Sequence, residues 1–171
     1  MGSAEEETDV NVAATVTAVL AVIMSIFQVY TASFAVLPEL LQRGIHLVFV
    51  LVLGFLIFGA DGKKKERLSA LDIVLIALSM LSVGYTIINH SSIVLRLPYA
   101  EPVTLAQTAL AIIMVLMILE LSRRSIGLAL PIVAIAFIAY ALFGQYIPGD
   151  FGHAPLKFSD LIDCLYLGFD G

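Results

Sequence analysis

Apolar residues fill this chain in five long blocks, separated by short polar stretches. Two of the blocks flank Lys63-Lys64-Lys65-Glu66-Arg67. A charge-free run of 17 residues ends at Ala60 and another of 23 begins at Ile73. A helix needs roughly 20 predominantly apolar residues to cross ~30 Å of hydrocarbon. The blocks therefore predict membrane-spanning helices over 11–34, 44–60, 68–89, 103–121 and 126–143. The second is short and needs its flanks to span. The fold class expected is all-α, a polytopic integral membrane protein with about five transmembrane helices.

Polar positions inside the blocks carry specific expectations. Gln28 is deep in the first helix, where an amide is costly unless it faces another helix or the interface. Pro38 ends the first helix, because the residue before a proline avoids the helical region. The stretch 35–45, with Leu37, Leu40, Leu41 and Ile45 near helical spacing, is expected as a short interfacial helix. Gly54 and Gly59 allow close approach of a neighbour, as do Ser79, Ser82 and Gly84 in the third helix. Asp72 falls in the first turn of that helix, where a carboxylate suits the dipole and the nearby lysines. It reads as a cap-like interfacial charge, with a proton relay as the lesser alternative. Stretch 89–102 is a loop containing Arg96, Tyr99 and two prolines. Glu120 and Arg124 are four residues apart, the spacing of a surface ion pair. Pro131 falls in the first or second turn of the fifth helix, and in the second it would kink it. A polar, turn-rich stretch comes next, and then an amphipathic piece over 158–167.

Composition narrows the class. Hydrophobic residues make up 60% of the 171 and charged residues 13%, about half the share of a soluble domain. The mean hydropathy is +1.01. The net charge of -5 comes largely from Glu5, Glu6, Glu7 and Asp9. No basic face for nucleic acid is evident. The single cysteine, Cys164, excludes an internal disulfide and a cysteine-rich metal site; it reads as a small apolar filler. An acidic start before an apolar run over 10–37 is unlike a signal peptide. Basic residues set the orientation. With the N-terminus cytoplasmic, Lys63, Lys64, Lys65, Arg67, Arg123 and Arg124 lie inside, against Arg43, Arg96 and Lys157 outside. The expected organisation is an acidic cytoplasmic tail over 1–10, a four-helix membrane unit over 11–124, and a region over 125–171 that opens with the fifth helix.

Candidate chemistry is sparse. No nucleophile, phosphate-loop or dinucleotide motif is present, and no enzyme is expected. No catalytic, metal, cofactor-binding or substrate-binding residue is assigned. The one candidate constellation is His46 with His90, both at helix ends on the same side. Such a pair could ligate a haem or serve a quinone-linked anchor subunit. Interfacial histidines are ordinarily wet and need no partner, and His153 in its Gly-His-Ala-Pro loop is expected to be solvated. A stand-alone ion-coupled transporter generally needs ionisable or unwound sites in mid-membrane. Here the blocks offer only Gln28, Gln107, Thr108 and scattered serines, which points to a scaffold or accessory subunit.

Arg43-Gly44-Ile45-His46-Leu47, followed by a short apolar helix and a basic loop, resembles the opening of the fused permeases of tripartite ATP-independent periplasmic (TRAP) transporters. So do Arg123-Arg124-Ser125-Ile126-Gly127-Leu128-Ala129-Leu130-Pro131-Ile132, Tyr140-Ala141-Leu142-Phe143-Gly144 and Tyr146-Ile147-Pro148-Gly149. Gly152-His153 and Leu165-Tyr166-Leu167 extend the likeness. The resemblance covers roughly residues 20–171. It implies a bacterial inner-membrane protein that belongs to a secondary transporter importing an organic acid or similar solute with an ion gradient. Residues 1–124 would be the small, bracing unit and the fifth helix would begin the large one, with the transport site beyond Gly171. The implied partners are a large permease unit, fused or separate, a periplasmic solute-binding protein and membrane lipid. A small subunit of another tripartite carboxylate importer is an alternative.

Overall fold

The computed structural model describes residues 2–34, 37–65 and 68–168, with side chains from Ala14 onward. Glu66 and Arg67 of the basic loop, and the terminal Phe169-Asp170-Gly171, lie outside the described residues. The elements are α1 (Gly2–Ser33), α2 (Glu39–Ile57), α3 (Ala70–Ile88), α4 (His90–Val94), α5 (Leu105–Ile126), α6 (Ala129–Phe143) and α7 (Phe158–Ile162). A 3₁₀ turn, Gly144–Tyr146, continues from α6, and a π-helical turn, Asp163–Leu167, continues from α7. Among the described residues the fold is all-α, apart from one isolated bridge between Phe58 and Lys64. Among the described residues, five stretches are long and apolar enough to cross a membrane: Ala14–Ser33, Glu39–Ile57, Ala70–Ile88, Leu105–Ile126 and Ala129–Tyr146. The chain is a polytopic membrane protein, with five spans among the described residues.

The boundaries differ from the sequence expectation where local chemistry continues a helix. α1 begins at Gly2, so the acidic tail is helical; Ala4 and the glutamates are good helix formers, and acids suit a helix N-terminus. Ala35 and Val36 lie outside the described residues, but Glu39–Ile45 is no separate interfacial helix. It is the start of α2, with Pro38 at the N-cap and Glu39 paired to Arg43 at 2.6 Å across one turn. That extension gives α2 its spanning length. α5 runs through Arg123 and Arg124 to Ile126 and stops because Gly127 takes φ +95°. Pro131 is the third residue of α6, where its missing N–H would be unpaired anyway, so the helix does not kink there.

α2, α3 and α5 form the core, with α1 laid on α2 and α6 on α5. Leu51, Phe55, Val83, Ala111, Met114, Met117 and Leu121 fill it. In lipid, helices associate through close packing rather than through exclusion of water, so small side chains mark the contacts. Ser79 and Ser82 are fully buried, and each hydroxyl donates to its own helix, to Leu75 O at 2.7 Å and Ser79 O at 3.2 Å. Gly54 sits against the Leu121 side chain, where a Cβ would collide. The other two glycines behave otherwise. Gly84 faces open space, and Gly59 belongs to the tight turn after α2, where its N–H donates to Lys63 O at 2.9 Å. α1 and α6 leave Val22, Ile26, Val29, Ile132, Ile135 and Phe137 exposed, as lipid-facing surface requires.

Candidate functional site

The strongest concentration of chemistry lies at the end of the bundle that carries the basic loop. Its scaffold starts at α3. Ser69 caps the helix, and three residues later the Asp72 carboxylate accepts the Ser69 N–H at 2.9 Å, closing a capping box. That box aims the second carboxylate oxygen, Oδ1, at α5. There it accepts from Arg124 Nη1 at 2.7 Å, while Oδ2 lies 2.5 Å from Lys65 Nζ. The lysine contact is an ion pair without a well-directed hydrogen bond.

Arg124 is 2% exposed, buried by four neighbours. Beyond Asp72 it donates from Nε to Glu120 at 2.7 Å and from Nη1 to Phe58 O at 3.3 Å, and its guanidinium stands 5.3 Å from the Phe55 ring centroid. Arg123 holds both Glu120 oxygens at 2.8 Å and reaches Ala60 O at 3.2 Å. The end of α2, the turn after it, the start of α3 and the last turns of α5 are thus joined through two carboxylates and three cations. Sequence spacing alone leaves Asp72 and Glu120–Arg124 at the interface as separate wet charges. The Glu120–Arg124 pair forms, but Asp72 and Arg124 are buried together, because α3 and α5 pack side by side in opposite directions. Each carboxylate accepts from an arginine, so each is tied into the cluster by a charge-assisted hydrogen bond.

A second tie, at the opposite end, has no counterpart among the sequence expectations. Asp163, 2% exposed, accepts from Arg96 Nη1 at 2.8 Å and from the Tyr99 N–H at 3.0 Å. Tyr99 has φ +62°, a conformation uncommon for a bulky residue, and the bond to Asp163 helps hold it. Three residues on from Asp163, Tyr166 is buried and its hydroxyl donates to Ser82 O at 2.5 Å. Burial pushes the Tyr166 phenol well above its ordinary value, so it stays a donor. The amphipathic piece 158–167 therefore docks into the bundle between α3 and α5. The signal available in the sequence is a lone aspartate between Ile162 and Cys164, with Arg96 as the sole cation of its loop. Cys164 is half-buried and free, in keeping with a filler.

The three histidines are also partnered. His46 Nδ1 lies 2.6 Å from the Gln28 side-chain nitrogen, so Gln28 does face another helix. His90 meets Ile87 O through Nδ1 at 3.2 Å and the Ser91 hydroxyl through Nε2 at 3.2 Å. Both nitrogens of His90 are thus engaged locally, and His46 is engaged with Gln28. His153 is half-buried rather than solvated. Its ring packs edge-on to Tyr140 at 5.2 Å and against Gly144, where a Cβ would strike it. Its two nitrogens face Tyr140 O at 3.0 Å and Ala154 O at 2.7 Å. Those two acceptors raise the His153 pKa above the ordinary imidazole value, the Tyr140 carbonyl most. Among the described residues, no group of three or more His, Cys, Asp or Glu could hold a metal ion.

Fold and ties together define a class: a five-span all-α membrane protein whose helix ends are held by buried ion pairs. No family model, curated protein or solved structure matches this chain.

Proposed function

We propose that this chain is the scaffolding membrane unit, small-subunit-like, of a TRAP-type secondary transporter. In this reading it braces a large permease unit that imports an organic acid or similar solute with an ion gradient and a periplasmic binding protein. Its membrane would be the bacterial inner membrane, with the basic end cytoplasmic. One observation carries the scaffold role. The two buried aspartates, Asp72 and Asp163, are each fixed by an arginine from another part of the chain, Arg124 and Arg96. Charges held this way tie helices together and are not available to bind or release a coupling ion. The likeness at Arg43–Leu47 and through 123–167 supports the family part of the reading. Part of that likeness coincides with packing-critical positions: Arg123 and Arg124 in the cluster, and Gly144 under His153.

The test is reconstitution. Proteoliposomes holding this chain alone should take up no labelled organic acid under a sodium gradient with binding protein present. Adding the large permease unit should restore uptake and co-purify with the chain. Uptake by the chain alone would refute the scaffold role, and failure to associate with any such permease would refute the family reading.

A further inference from the structure

A cleft of about 410 Å³ opens between α1 and the start of α2, lined by Gln28, Leu37, Glu39, Gln42, Arg43 and His46. That volume falls among small-ligand sites. We propose that it binds a phosphoethanolamine group, presented by a zwitterionic phospholipid of the surrounding bilayer. The inference stands apart from the transporter reading and needs none of its partners.

Three observations converge on that chemistry. The first is charge. Glu39 and Arg43 are paired at 2.6 Å with about half of each side chain exposed. An exposed pair of this kind is weakly held, so a ligand can exchange with it. A phosphate would take the guanidinium, and a primary ammonium would take the carboxylate, in a geometry already one helical turn apart. The second is the backbone. Pro38 at the N-cap of α2 supplies no side-chain acceptor for the first-turn N–H groups, and such an end favours phosphate. The third is the polar lining, where the Gln28 side-chain nitrogen lies 2.6 Å from His46 Nδ1; in the tautomer that accepts there, Nε2–H is a further donor.

Position argues for lipid as the source. The cleft sits where two spans end, Ala14–Ser33 and Glu39–Ile57, which is headgroup depth. α1 beside it is largely uncovered by protein and bears a hollow of about 330 Å³ lined by Ser25, Ile26, Val29, Tyr30 and Phe34. Acyl chains have somewhere to lie. Glu39 sets the headgroup preference. Ethanolamine offers N–H donors, choline offers none, and glycerol offers no positive charge.

The full chain, purified in mild detergent, would be given equimolar phosphatidylethanolamine, phosphatidylglycerol and phosphatidylcholine of matched chains and read by native mass spectrometry. Phosphatidylethanolamine should be retained over either competitor by at least about fivefold, a difference of roughly 1 kcal/mol. Arg43→Ala should abolish retention and Arg43→Lys should keep part of it. Glu39→Gln should move the preference to phosphatidylglycerol. A parallel sample would receive free O-phosphoethanolamine. Retention of the lipid without the free compound supports the proposal, and retention of the free compound in preference to the lipid assigns a soluble source and overturns it. If neither is retained, or if Arg43→Ala and Glu39→Gln bind as the native chain does, the proposal is overturned. Circular dichroism of each variant shows that it is folded.

Discussion

Replacing Asp72 with alanine tests the buried cluster most directly. Asp72 faces two cations, Lys65 and Arg124, and both side chains of the Asp72–Arg124 pair are under 5% exposed. Two unit charges about 4 Å apart attract by about 4 kcal/mol at an effective dielectric of about 20. Desolvation of several kcal/mol per ion offsets most of that, so the intact cluster adds little net stability. Deleting one partner is different. It leaves Arg124 buried with only Glu120 and the Phe58 carbonyl, and leaves Lys65 without an anion. The expected loss is about 3–5 kcal/mol. Arg124→Met should cost a similar amount through the stranded Asp72. The double variant should cost less than the sum by about 2–3 kcal/mol, because neither charge is then stranded. The chain has no tryptophan, so unfolding is best followed by circular dichroism during titration of mixed micelles with dodecyl sulfate. An Asp72→Ala variant within about 0.5 kcal/mol of the native chain, as for an ordinary surface charge, would refute the reasoning. So would strict additivity in the double variant.

Other expectations rest on single contacts. Gly54→Ala would drive a Cβ into the Leu121 side chain and should destabilise by about 1–3 kcal/mol, with partial rescue by Leu121→Ala in the same titration. Gly84→Ala meets nothing within 4 Å and should be neutral or stabilising by up to about 1 kcal/mol. Asp163→Ala removes the buried acceptor that Arg96 and the Tyr99 N–H share, leaving Arg96 with Glu101, so amide exchange over 158–167 should quicken at least about tenfold by mass spectrometry, while exchange in α3 and α5 stays slow. His153 donates to two carbonyls only as the imidazolium, so its pKa is raised on folding. Its contribution is complete below the unfolded value of about 6.5 and is lost as pH rises through the folded one. A proton–nitrogen correlation titration of His153 should place its pKa above the ordinary imidazole value, and a value at or below about 6.5 would contradict the geometry.

The five spans are legible in the chain because the hydrocarbon core imposes length and apolarity on each helix separately. A property imposed on single segments can be read segment by segment. Gln28 is legible for the same reason: an amide at that depth needs a partner, although the identity of His46 is not encoded nearby. The join at Glu39 is hidden because Gly44 and the amphipathic spacing suggest a break that the Glu39–Arg43 pair and Pro38 cap bridge. The ion cluster is half legible. Asp72 as an N-terminal carboxylate and Glu120–Arg124 as a helical pair are local patterns, visible at spacings of three and four. That Asp72 and Arg124, 52 residues apart, share a hydrogen bond depends on which helices are neighbours, and no local pattern encodes that. The same holds for Arg96 with Asp163, 67 residues apart, and Tyr166 with Ser82, 84 apart. Membrane insertion is written in the composition, since each residue meets the lipid alone. The burial of charge is decided by helix packing, since a charge can leave water only where its counter-charge is brought to meet it.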